Sequence, residues 1–212
     1  MGFDLYGQNP TVNKEYSPRY NEIMKKYGTG DGWLDWQKEI PEDIKKEYFD
    51  LKGQYEEDNP GYYFRNNVWF WRPLWNFVCD ACDDFLTDSD MSGGDTNDGH
   101  VISKTKALKI AKRLSKKLAD GTVDEIERAY ALRKAKADVH NKRVQENLDR
   151  ITKECQDMHG KDLVPANYPE PFKTWWDKMY ATKLWDSDYP FSKENVEYFA
   201  KFCLESGGFE IC

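Results

Sequence analysis

The chain has no run of about 18 apolar residues, so no segment reads as a membrane span. Its first ten residues lack a basic start and an apolar stretch, and no secretory leader is expected there. Met1-Gly2 matches the opening of an acylation signal, but Tyr6 stands where serine or threonine is needed. Cysteine is sparse: five in 212 residues, an odd number with no spacing that suggests a disulfide framework. A reducing, cytosolic compartment is therefore expected. Histidine is scarcer still, with three scattered residues at His100, His140 and His159. No Walker loop, G-x-S-x-G, H-E-x-x-H or G-x-G-x-x-G occurs. Those absences leave no positive case for an enzyme, and no cofactor is expected.

Positive charge is also in deficit. With 31 Lys and Arg against 38 Asp and Glu, the formal net charge is -7. Direct nucleic-acid binding needs a basic footprint and is not expected from this balance. An acidic chain is suited instead to a basic protein surface. Apolar residues make up 39%, a low share, yet aromatics reach 15%. Each buried Trp or Tyr removes roughly 150–250 Å² from water, so a few of them can found a core.

The periodicities predict a mainly α, α+β fold: several amphipathic helices, one of them long and charged, with a small antiparallel sheet joining the termini. Phe3 to Tyr6, Tyr62 to Phe64 and Phe209 to Ile211 read as three short strands. Pro18 and Pro41 suit helix starts, where a missing N–H costs little, and Trp33 and Trp36 are expected to anchor the segment between them. A single domain is expected over 1–212. Ser103 caps a lysine-rich helix with Ala107, Leu108, Ala111, Leu114 and Leu118 facing inward, and Gly121 ends it. Thr122 and Glu125 then open a helix over 122–160 as a capping box. Its seam runs through Ile126, Tyr130, Arg133, Ala137, His140, Val144, Leu148, Ile151, Cys155 and Met158, close to a coiled-coil pattern. That helix either projects, folds back on 103–120 as a hairpin, or pairs with a second copy; the hairpin is favoured. The last helix, capped by Ser192, presents Val196, Phe199, Ala200 and Cys203.

The densest aromatic stretch, GYYFRNNVWFWRPLWNFV from Gly61 to Val78, carries polar residues that a plain core would not need. Pro73 favours a helix opening near Trp71 or Arg72, or one capped by Asn66 or Asn67. Arg65, Asn66, Asn67, Trp69 and Arg72 then make a candidate ligand site: helix-start N–H groups favour an anion, and tryptophans supply flat walls. The competing reading is structural, with an Asn as cap and Arg65 paired to Asp4 or Glu210.

Cys79 and Cys82 with Cys155 and His159 have the spacing of a zinc site. Both pairs fall on helices, where cysteine is an ordinary small hydrophobe, so no metal is expected. Asp88, Asp90, Ser92 and Gly93 open like a calcium loop, but Gly99 occupies the position of the bidentate glutamate. A solvated loop is expected from Asp88 to Gly99. The lysines of the 103–118 helix read as a solvated face, since no aromatics interleave with them.

The segments MGFDLYG, GYYFRNNVWFWRPLW with the following CDAC, and YPFSKENVEYFAKFCLESGGFEIC resemble a family of small uncharacterised proteins encoded by bacteriophages. The resemblance covers both ends and the aromatic stretch, about half of the chain. In the middle, from about Thr122 to Asp188, members differ, some carrying cysteine-rich insertions where this chain has its long helix. The resemblance implies a viral origin and residence in the host cytoplasm. It makes a host protein or complex the expected partner, bound to inhibit a defence or nucleic-acid-processing machine. Two alternatives stay open: a binder of, or enzyme acting on, a nucleotide-like molecule at the Arg65–Arg72 stretch, and an assembly protein that forms a homodimer through the long helix.

Overall fold

In the computed structural model, residues 2–30, 32–185 and 188–212 are described. They form a predominantly helical α+β fold with a small sheet made by both ends of the chain. Strands β1 (Gly2–Gly7), β2 (Tyr63–Asn67), β3 (His100–Ser103) and β4 (Gly208–Ile211) pair antiparallel in the order β2-β1-β4-β3. Leu5 sits opposite Phe64 on one side and Ile211 on the other, which joins the two ends of the chain. β3 adds a fourth strand beyond the three expected, with His100 opposite Ile211.

The helices are α1 (Pro18–Tyr27), α2 (Glu42–Asp58), α3 (Val68–Ala81), α4 (Asp88–Gly93), α5 (Lys104–Ala119), α6 (Thr122–His159), α7 (Phe172–Tyr180) and α8 (Lys193–Glu205). The chain divides into two compact units: 1–121 with 193–212, and 122–192. α5 and α6 therefore belong to different units.

In the first unit, alternation along each strand turns Phe3, Leu5, Phe64, Ile102, Phe209 and Ile211 into one buried layer. Helices α3, α5 and α8 cover it. The rings interlock: Trp71 stacks on Phe3 and on Trp75, each at 5.3 Å, and meets Phe199 edge-on at 5.7 Å. Phe199 and Phe202 close on Phe209 at 5.8 and 5.3 Å. Offset and edge-on pairs of this kind add about 0.5–1.5 kcal/mol each beyond the area they bury. Both buried indoles keep a hydrogen-bond partner, Trp71 Nε1 donating to Gly94 O at 2.7 Å and Trp75 Nε1 to Met91 O at 2.9 Å. The turn from α8 into β4 runs through Gly207 and Gly208 at φ of 66° and 99°, a left-handed region that favours glycine.

Pro18 does open α1, with Ser17 as its cap. α2 follows Pro41, with Glu42 and Asp43 in the first turn where the helix dipole favours them. Tyr20, Ile23, Leu34, Ile40 and Tyr48 form a second cluster between these helices. Buried Asn59 ties the entering chain to it: its carbonyl accepts from the Asn13 and Lys14 N–H groups, and its amide donates to Lys14 O and Tyr55 O. Trp33 and Trp36 do not anchor this region, being 45% and 58% exposed. Leu34 fills that role between them.

α5 buries Ala107, Ile110, Ala111 and Leu114. The expected inward residue Leu108 is exposed, because the buried stripe extends from Ala107 toward Ile110, on the opposite side from Leu108.

In the second unit, α6 and α7 pack through Ile151, Cys155, Tyr168 and Phe172. Asn141 clamps the chain after α7, donating to Leu184 O at 2.7 Å and accepting from Leu184 N at 2.8 Å. His140 lies 2.8 Å from Thr182 O, so it serves this loop rather than an apolar seam. Met158, at the end of the expected seam, is exposed.

Candidate functional site

The alternation of β2 decides where the polar triplet points. Phe64 is buried, Arg65 and Asn67 are exposed, and Asn66 is half-buried. Opposite them on β1 stand Leu5, Asp4, Phe3 and Gly2. Arg65 Nε lies 3.5 Å from Asp4 Oδ1, and Tyr63 OH donates to the same oxygen. Burial and that hydrogen bond both push the Tyr63 phenol above its ordinary pKa. Asn66 Nδ2 donates to Asn195 Oδ1 at 2.8 Å. Asn67 caps α3, its carbonyl accepting from the N–H of Trp69 at 3.0 Å and of Phe70 at 3.1 Å.

α3 thus opens at Val68, and Pro73 sits within its second turn. Trp69 and Arg72 lie on the exposed side of the helix, while Trp71, Leu74 and Trp75 turn inward. The five expected ligand residues share one strand end and helix start, and Arg65, Asn66 and Asn67 each have one side-chain polar atom engaged by the chain itself, Arg65 Nε, Asn66 Nδ2 and Asn67 Oδ1.

Among the described residues, no group of three or more His, Cys, Asp or Glu side chains could hold a metal ion. Cys79 and Cys82 lie at the end of α3 in the first unit, and Cys155 and His159 on α6 in the second. Burial pushes the Cys79 and Cys82 thiols up to about 12, so both are neutral thiols near pH 7. The His159 ring meets Phe172 edge-on at 5.7 Å.

The first half of the segment read as a solvated or calcium-like loop is instead the short helix α4, while 94–99 is not helical, and the reason for the helix is local. Thr87 and Asp90 form a reciprocal capping box, which turns the Asp90 side chain inward. Asp90 is 3% exposed. It accepts from Thr87 and Lys106, with His100 Nε2 at 3.3 Å from its other oxygen. Burial alone would raise its pKa, but these hydrogen bonds outweigh burial and hold the carboxyl far below the usual range. This knot joins α4, β3 and α5.

A surface that the sequence reading misplaced lies on α2 and the segment before it. Trp36 stacks on Phe49 at 6.3 Å, and Phe49 is 50% exposed. Lys52, one turn along α2, lies 4.2 Å over the Trp33 ring. Beside Phe49 runs an acidic line of Asp43, Asp50 and Glu57, all exposed and seven residues apart, spanning about 21 Å of helix. Among the described residues none of the three has a cation within ion-pair distance, whereas neighbouring Glu42, Glu47 and Glu56 each have one. Between positions 35 and 58 there are nine Asp and Glu against four Lys. The signal available in the sequence was this local acidity next to aromatic residues. Trp33 and Trp36 are three residues apart, a spacing shared by rings that anchor a core and rings left exposed.

No protein-family model, no curated protein and no solved structure matches the chain.

Proposed function

We propose that this is a phage accessory protein that works in the host cytoplasm by docking on a basic surface of a host protein or complex, one engaged in defence or nucleic-acid processing. The observation that carries this reading is the exposed Trp36–Phe49 pair beside the unpaired Asp43, Asp50 and Glu57 line. Large exposed aromatics are the residues that anchor protein interfaces, and their exposure costs solubility unless a partner covers them. A line of unneutralised carboxylates steers a basic partner onto that anchor and repels acidic ones. The resemblance of both chain ends and the aromatic stretch to phage-encoded proteins supplies the setting.

Trp36→Ser with Phe49→Ser is the test. Both side chains are exposed, so the variant keeps its melting temperature. A basic bacterial protein captured by the native chain and bound at least about ten-fold more weakly by the variant supports the reading. Equal retention by both proteins, or capture of acidic proteins only, contradicts it.

A further inference from the structure

We propose a second site on the first unit, independent of the docking face: a cationic groove between the end of α3 and α5 that binds the phosphates of a nucleotide. The groove has a volume of about 400 Å³ and is lined by Asp84, Phe85, Lys109, Lys112, Arg113 and Lys116. Its one carboxylate is already neutralised. Arg113 Nη2 lies 2.9 Å from both Asp84 oxygens, and its Nη1 donates to Ala81 O. That pair forms a fixed wall.

The other three cations are left over. Lys109, Lys112 and Lys116 recur at helical spacings of three and four, so their ammonium groups line one face of α5. All three are exposed, and among the described residues none has a carboxylate within ion-pair distance. Like charges at this spacing destabilise a helix, and nothing in the packing of Ala107, Ile110, Ala111 and Leu114 requires them. An external anion would relieve that repulsion.

The half-buried Phe85 supplies the apolar part, its ring centroid 5.4 Å from Lys109 Nζ and 5.7 Å from the Arg113 guanidinium carbon. Because Phe85 arrives from the end of α3, no aromatic interleaves with the lysines in the sequence itself.

The size of the patch selects the ligand. From Lys109 to Lys116 is about 10 Å of helix, comparable to one Debye length near 0.1 M salt. A compact oligophosphate feels this patch alone. A longer nucleic acid would run on past exposed Asp80 and Asp83 at the α3 end, on a chain of net charge -7. The lysines hold the phosphates, and Phe85 packs against the base or ribose.

Titration calorimetry of the full chain with magnesium-free ATP, inorganic tripolyphosphate and a ten-residue oligothymidylate tests the site. ATP is expected to bind at one site, more tightly than either of the other two probes. Lys112→Gln with Lys116→Gln should weaken ATP at least about ten-fold without lowering the melting temperature. Phe85→Leu, which keeps apolar volume but removes the flat ring, should weaken ATP and leave tripolyphosphate unaffected. Absence of saturable ATP binding, or equal ATP binding by the lysine variant, overturns the proposal. Tripolyphosphate binding as tightly as ATP overturns the nucleotide assignment, and tighter oligothymidylate makes the groove a nucleic-acid surface instead.

Discussion

Asn67 and Asp90 show how much a single polar side chain does in this fold. Asn67 ends β2 and caps α3, so it fixes the angle at which the tryptophan helix leaves the sheet. Asn67→Ala is expected to cost about 1 kcal/mol, read by urea denaturation, because two N–H groups lose their acceptor. Asp90 is the stronger case, since it holds a buried charge among Thr87, His100 and Lys106. Asp90→Asn should cost about 2–3 kcal/mol at pH 7, a value typical of losing hydrogen bonds to a charged group. The pH dependence follows from its depressed pKa. An aspartate held below its unfolded value of about 3.9 contributes stability above that pH and loses it as pH falls toward the folded value. The gap in stability between native protein and Asp90→Asn should therefore be full at pH 6 and shrink steadily below about pH 4. A gap that stays constant down to pH 2 would show that the carboxylate charge has no part in it.

At the scale of elements, the long helix is uneven along its length. Between positions 124 and 136 of α6 no described side chain is buried, whereas Val144, Leu148, Ile151 and Cys155 all are. Local opening is easiest where few apolar groups leave water. Hydrogen exchange should be at least about ten-fold faster over 126–136 than over 144–155. Uniform protection along α6 would contradict this.

The same contrast explains what could be read from the sequence. β1 and β4 were readable because two alternating apolar residues survive in each, while β2 was readable only at its first two residues, Tyr63 and Phe64, since Arg65, Asn66 and Asn67 follow. β3 was not, since within His100–Ser103 Ile102 alone is buried and a glycine-rich segment precedes it. The helix starts at Pro18 and at capping Ser103 were readable from one residue each. α4 was missed because its capping box uses Asp90, a residue type that reads equally well as a loop ligand. One edge of the inward face of α5 was misjudged, since Leu108 and Ile110 are both apolar and packing against α8 and β4 chooses between them. As for the candidate sites, the Arg65–Asn67 triplet was visible as an anomaly. Its ion-pair partner Asp4 and hydrogen-bond partner Asn195 lie far off in sequence, so only the fold could supply them.

At the scale of the whole molecule, charge is unevenly placed. The net charge of -7 is concentrated in part on α2 and the segment before it, while α5 carries seven basic residues and no acidic one. Both features belong to the unit that contains the sheet, and the second unit, 122–192, contributes neither. Two oppositely charged surfaces on one unit suit a molecule that meets a basic partner at one place and an anion at another.

The measurement that bears most directly on the central claim is capture from bacterial lysate with native protein and with Asp43→Lys, Asp50→Lys and Glu57→Lys combined, each at 50 and 300 mM salt (roughly spanning the range in which screening sets in). All three positions are exposed and without ion-pair partners among the described residues, and the first-turn charge lost at Asp43 is offset by the cation gained in the last turn at Glu57, so the variant should melt close to the native protein. A basic partner held by the native chain at low salt, released at high salt and absent from the variant is the expected result. The same proteins retained by both chains at both salt concentrations would contradict the assignment of this face.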